Sequence, residues 1–340
     1  MSIQILSTAA NAVLPIVLLI FLGYFLRQKG FLTDNFLSVG NKLVFRVCLP
    51  VMLFVNVYGI GSISDIRWDI CLYSVAAVTV LFLLGIVMAL VVTPQPERRG
   101  VLLQCSFRSN FAIIGMPLAT SLGGEGGAAV AAILSAVAVP LFNVLAVIAL
   151  SIFRKDETGQ PVRPGKIAKD VAKNPLIIGV LLGMAALLVR QWQVAQLGSV
   201  VFSLQRDIPW LYEAAGDLKS IASPLALLIL GGQFRFSAAK ALWKEVAAGT
   251  VFRTVLAPLL GVGGAIVLSY CGLIPCGAAE YPARVALFGS PVAVSSAIMA
   301  REMKNDEQLA TQLVVWTSIA SILTVFLTVC LLMSLGFLTA

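Results

Sequence analysis

"FRSNFAIIGMPLATSLGG", Phe107 to Gly124, sets the triplet Gly115-Met116-Pro117 inside a run of side chains apolar enough to lie in lipid. Proline lacks a backbone N–H and clashes with the carbonyl one turn back, and glycine relaxes the chain. The triplet is therefore expected to interrupt a membrane helix at its centre. A second Gly-x-Pro, Gly289-Ser290-Pro291, lies 174 positions on, and the same offset carries Pro50 onto Pro224. The spacing within each pair also repeats: Pro50 to Pro117 and Pro224 to Pro291 both span 67 residues. Two homologous halves are the simplest reading, each with a broken helix.

The composition agrees with a membrane setting. Of 340 residues, 59% are hydrophobic and 12% charged, and the mean hydropathy of +0.96 lies far outside the soluble range. Ten apolar runs are long enough to cross about 30 Å of hydrocarbon. They are residues 8–27, 37–58, 69–92, 99–121, 126–153, 174–190, 217–234, 241–270, 282–300 and 308–337. The stretch from Trp192 to Tyr212 is too interrupted to span and is expected at the interface, with Trp210 and Tyr212 at headgroup depth. Five spans per half is an odd number, so the second half, residues 174–340, enters the bilayer from the side opposite to the first, residues 1–153, and residues 154–173 link them.

Basic residues set the expected orientation. Sixteen Lys and Arg fall in the odd-numbered loops and four in the even-numbered ones, which puts the odd loops in the cytoplasm and both termini outside it, with a bacterial inner membrane as the expected location. That asymmetry accounts for the net charge of +8, and no nucleic-acid partner is implied. The first span carries no cleavage signal and is read as part of the mature chain. The six cysteines form no metal-type doublets. Cys271 and Cys276 flank an expected external loop, and their pairing stays open.

Breaks of this kind survive in lipid only where protein or a water-filled cavity covers the freed backbone groups, and a half-helix N-terminus then offers N–H groups and a positive dipole end to an anion. The polar residues nearest the breaks become candidates. Asn110 lies seven residues before Pro117, and Arg108 is either a ligand or a helix-end anchor. Asn143 is either a ligand or a helix–helix hydrogen bonder, and Arg284 either meets a substrate carboxylate or pairs with Glu280. Ser290 and Ser295 offer hydroxyls beside the second break. There is no histidine, and the acidic residues fall in loops or at span ends, which argues against a central carboxylate proton relay. Coupling by Na⁺, by a proton carried on the substrate, or by nothing stays open, and no cofactor, metal or enzymatic motif is expected.

Taken in order, "SNFAIIGMPLATSL", "VPLFNVLAVIAL", "KNPLIIGVLLG", "SPLALLILGG", "VFRTVLAPLL" and "GSPVAVSSAIMAREM" resemble the auxin efflux carrier family, which includes plant PIN proteins and bacterial malate or malonate carriers. The resemblance implies an all-helical fold of ten helices in two inverted five-helix repeats, helices four and nine crossing at mid-membrane, and a scaffold that dimerises. It implies Gly115, Met116, Pro117, Gly289 and Pro291 at the crossover, and Asn110 and Asn143 in contact with a small mono- or dicarboxylate. It also implies alternating-access transport. The short linker departs from the plant members, so regulation through a large loop is not expected. The rival readings are a bile-acid-type sodium symporter and a ligand-binding channel or sensor on the same fold.

Overall fold

A computed structural model describes residues 2–60, 67–154, 164–274, 277 and 279–338, with side chains from Leu14 onward apart from positions 164, 166, 167 and 170. Among these residues every regular element is helical, and the one extended feature is an isolated antiparallel bridge between Ser109 and Val292. Helix α1 (Ser2–Gln28) is followed by α2 (Asp34–Leu43), which runs through a π turn at Val44–Cys48 into α3 (Leu49–Tyr58). Next come α4 (Trp68–Val92), α5 (Pro96–Phe107) and, after a π turn at Phe111–Gly115, α6 (Met116–Ile152). The later part holds α7 (Pro164–Lys173), α8 (Pro175–Leu197), the short α9 (Leu204–Asp207), α10 (Pro209–Gln233), α11 (Phe236–Ala241), and α12 (Trp243–Val251). Two further π turns lead from α12 to α13 (Gly264–Tyr270), and α14 (Glu280–Gly289), α15 (Ser295–Glu302) and α16 (Glu307–Ser334) complete the chain.

Seven helical stretches among the described residues are long and apolar enough to cross a membrane, against the ten runs read from sequence. Three causes account for the difference. The apolar part of α1, Leu14–Gln28, is shorter than a span. The expected fourth and fifth runs share one helical stretch, Phe111–Ile152, kinked where Gly124 takes a φ of 55°. The expected ninth run is divided between α14 and α15, ten and eight residues long, each too short alone.

The expected site of the first interruption also moves. Gly115 and Pro117 stand in helical backbone, with the π turn at Phe111–Gly115 passing directly into α6. A π turn widens the ladder just before the proline, so Pro117 occupies a first-turn position where its missing N–H leaves no gap. Pro50 follows a π turn in the same way, and Pro258 sits between two. The chain instead leaves helical geometry at Arg108–Asn110, earlier than the triplet, and at Ser290–Ala293 in the later part, where Gly289-Ser290-Pro291 does coincide with the interruption. Gly115 is required for proximity: a Cβ there would meet the Phe111 ring and, at 3.0 Å, the Ala286 carbonyl oxygen of α14.

Packing joins the helices in two neighbourhoods. Helix α1 lies along α10, and α3 lies against α8 and α10. These contacts use glycine for close backbone approach, with Gly231 against the Ile20 carbonyl and Gly23 against the Leu228 carbonyl. In the other neighbourhood α4 packs on α5, α14 on α6, and α16 on α12, α14 and α15. Helix α16 also touches α1, and its Gln308 and Gln312 donate to the backbone oxygens of Gln233 (3.2 Å) and Arg235 (2.8 Å) at the end of α10. The outward faces carry large apolar side chains such as Phe21, Leu72, Val91 and Leu259, as a lipid-facing surface requires. The expected interfacial stretch is partly helical: α8 continues to Leu197, α9 is a single turn, and Trp210 opens α10 with 70% of its surface exposed. Cys276 lies outside the described residues, and with it the question of its pairing with Cys271.

Candidate functional site

Two interrupted segments meet at the centre of the second neighbourhood. The Asn110 N–H donates to the Pro291 oxygen at 2.8 Å, and the Ala293 N–H donates to the Arg108 oxygen at 3.3 Å. These two bonds flank the Ser109–Val292 bridge and place α5, α14, α15 and the helix that starts at Phe111 around one point. Thr317 of α16 secures this bridge by accepting the Val292 N–H at 3.1 Å.

Arg108 leaves this point toward the later half. Its side chain is buried at 3% exposure. Nη2 donates to Asn143 Oδ1 and to Ser295 Oγ, both at 2.9 Å, and Nη1 contacts Met299 Sδ. Asn143 is held in turn by donating Nδ2 to the Val139 oxygen at 2.8 Å. Every one of these partners is neutral, and among the described residues no carboxylate pairs with Arg108. A buried cation compensated only by neutral groups is an expensive arrangement.

A cavity of about 50 Å³ lies against this cluster, lined by Arg108, Ser109, Asn110, Asn143 and Ser295 among others. Asn110 Nδ2 and Ser109 Oγ are both buried without a hydrogen-bond partner among the described residues. The cavity also meets Ala112 and Ile113 in the first turn of the helix that begins at Phe111. That N-terminal end adds dipole potential of the same sign as Arg108. A larger hollow of about 360 Å³ shares Ala112 and Val139 with it and runs out past Met116 and Ile60 to Tyr212 and Lys219. The opposite end is tied together by ions: Arg98 holds Glu245 at 2.9 Å and Asp306 at 3.0 Å, Arg301 holds Glu307 at 3.0 Å, and Asn41 reaches Glu302 at 2.8 Å.

Four of the residues singled out in the sequence thus come together: Arg108, Asn110, Asn143 and Ser295. Two do not. Arg284 is fully buried with its guanidinium 5.1 Å from the centre of the Tyr73 ring, while Glu280 pairs with Arg67 at 2.8 Å. The Ser290 hydroxyl turns back to the Ala286 oxygen at 2.6 Å. Among the triplet residues, Met116 lines the larger hollow and Pro291 supplies its carbonyl to the Asn110 N–H.

Arg253 went unassigned in the sequence. It is completely buried in a π turn, and it donates to the backbone oxygens of Ser290 (2.9 Å), Leu287 (3.1 Å), Phe288 (3.2 Å) and Phe107 (3.3 Å). One guanidinium therefore serves the C-terminal ends of both α5 and α14. The signal available in sequence was an arginine in "VFRTVLAPLL" with no acidic residue within a helical turn.

The family model for membrane transport proteins matches residues 8–329. The chain belongs to this family, the auxin efflux carriers. Its relatives include an uncharacterised transporter of Methanocaldococcus jannaschii, 25% identical over 254 residues that cover 73% of this chain and 76% of that protein. An uncharacterised transporter of Methanothermobacter thermautotrophicus is 22% identical over 326 residues, covering 92% and 95%. The carrier family membership and the apolar helices together make the chain an integral, multi-pass membrane protein.

Proposed function

We propose that this carrier is a secondary transporter of small organic anions, mono- or dicarboxylates, and that it works by alternating access. The observation that carries the reading is Arg108, a buried cation whose partners are all neutral, beside a cavity into which Asn110 Nδ2 brings an unused donor. Two helix N-termini, at Phe111 and Ser295, face the same place. Each end is worth roughly half a positive charge. A carboxylate completes this set by accepting from Arg108 and Asn110 and by lying across the helix ends, while its body extends into the hollow that reaches Tyr212 and Lys219.

The halves read as inverted repeats. Asp34–Tyr58 and Pro209–Gln233 start 175 positions apart, as do Trp68–Val92 and Trp243–Tyr270. At the crossing the bridged residues Ser109 and Val292 are 183 positions apart, a shift of 183 carries the Asn110–Pro291 bond onto the Ala293–Arg108 bond, and the kink at Gly124 stands 183 before α16. The shift falls in the connection after Tyr270. On this reading there are ten spans, a crossover unit built from α4 to α6 and α12 to α16, and a scaffold of α1, α3, α8 and α10 through which two copies dimerise. Residues 1–153 and 174–340 are then the two repeats, with residues 154–173 between them. The ion pairs around Arg98 shut one side while the hollow opens on the other, and alternation exchanges the two.

Counterflow of a labelled carboxylate into proteoliposomes tests the proposal. Asn110→Ala is expected to abolish exchange with the protein still folded, and full exchange in that variant would reject the site. Large unitary currents in place of saturable exchange would favour a channel.

A further inference from the structure

In membrane carriers with interrupted helices, the exposed carbonyls at half-helix C-termini are the places where a coupling cation such as Na⁺ is held. Here both such ends are in hand. The orphan oxygens at the close of α14, those of Leu287, Phe288 and Ser290, and the last oxygen of α5, that of Phe107, all accept from the guanidinium of Arg253 at 2.9–3.3 Å. The group is 0% exposed. No carboxylate among the described residues balances it. Its charge is met by two helix ends, each carrying roughly half a negative charge, which together match one guanidinium. Arginine keeps its proton in any protein environment, so this cation does not come and go.

We propose that Arg253 is a tethered cation standing in place of a mobile one: it satisfies the carbonyls that would otherwise coordinate Na⁺, fastens α5 to α14 at the crossing, and leaves the carrier without a sodium requirement. The inference rests on reading the crossing as the transport core. The planar fork suits the task, because its donors diverge to oxygens on two helices at once, where a single ammonium reaches fewer. The hydrogen bonds of Arg253 go to backbone oxygens, none of them on a cavity-lining residue around Arg108, so it is a positioning residue whose effect on substrate passes through the crossing it holds.

The experiment compares thermal unfolding midpoints of wild type, Arg253→Lys, Arg253→Met and Arg253→Ala in lipid nanodiscs, in sodium or choline chloride of equal strength, with and without low ethylguanidinium. Wild type is expected to unfold at the same temperature in sodium and in choline. Arg253→Met, which restores bulk without charge, is expected to unfold lower than Arg253→Lys. Arg253→Ala is expected to be raised selectively by ethylguanidinium, and less by sodium, relative to wild type under the same additions.

A wild-type midpoint that rises in sodium overturns the proposal, as does Arg253→Met matching wild type, or Arg253→Ala responding no more than wild type does. If Arg253→Ala cannot be recovered, the sodium comparison on wild type and the order of the Met and Lys variants still decide. No carboxylate enters these measurements, so failed carboxylate exchange removes the transport reading while leaving the cation pattern to be judged on its own.

Discussion

Replacing Arg108 with methionine separates binding from stability, because the two are expected to move in different directions. In the protein without substrate the change removes a buried charge together with its hydrogen bonds to Asn143 and Ser295 at 2.9 Å and its contact to Met299. Removing a lone buried charge relieves a desolvation cost of several kcal/mol, against about 1–3 kcal/mol for an acceptor left unpaired. In the complex the same change leaves a buried carboxylate without its cation, which costs about 3–5 kcal/mol. At about 1.4 kcal/mol for each factor of ten, affinity should fall by roughly two to three and a half orders of magnitude. Thermal unfolding followed by intrinsic fluorescence, across C2 to C6 carboxylates, reads both quantities in one plate. Wild type should gain a midpoint shift with at least one acid, and Arg108→Met should match or exceed the unliganded wild-type midpoint while losing the shift. A methionine variant that keeps the carboxylate shift, or that unfolds far below wild type with no ligand present, would refute the reasoning.

Asn143→Asp should place a carboxylate beside Arg108, where the amide oxygen now sits at 2.9 Å. The internal ion pair should raise the unfolding midpoint and eliminate carboxylate binding, and equilibrium binding of a labelled acid checks the second half. Ala112→Cys, on the wall shared by the two cavities, should react with a membrane-impermeant thiosulfonate from the side bearing Ile60 and Tyr212, and added carboxylate should slow the reaction. Gly231→Ala should destabilise by about 1–3 kcal/mol through overpacking against the Ile20 carbonyl. Gly216→Ala, with nothing within 4 Å of the added carbon, should leave the unfolding midpoint near that of wild type.

Much of this architecture is legible in the sequence because the bilayer leaves few options: a long apolar run must be a helix. The bounds of α4, residues 68–92, were readable to within a residue of the apolar run at 69–92. The position of the first interruption was not. Proline suggested residue 117, yet a π turn absorbs Pro117, and α5 stops at Phe107 because the next residues pair with backbone at Pro291 and Ala293. That pairing is a contact over more than half the chain, and no local signal announces it. Gly115 accordingly lies in continuing helix while Gly289 closes α14, so the two triplets spaced 174 apart differ in local backbone.

The site shows the same division. Arg108, Asn110, Asn143 and Ser295 stood out as polar groups in apolar surroundings, and the fold gathers them at one cavity. Arg284 stood out for the same reason and instead lies over Tyr73. Whether a buried arginine faces a cavity, an aromatic ring or helix-end carbonyls depends on which helices surround it. That is why Arg253, as apolar in its sequence context as Arg108, has a different role to play.

The most direct trial of the central claim is counterflow in proteoliposomes loaded with one unlabelled C2 to C6 carboxylate at a time, using wild type, Arg108→Met and Asn110→Ala in parallel. On the proposed carboxylate reading, wild type concentrates at least one labelled acid and neither variant does so. Wild-type vesicles that exchange none of the acids, or variants that exchange them as wild type does, would contradict it.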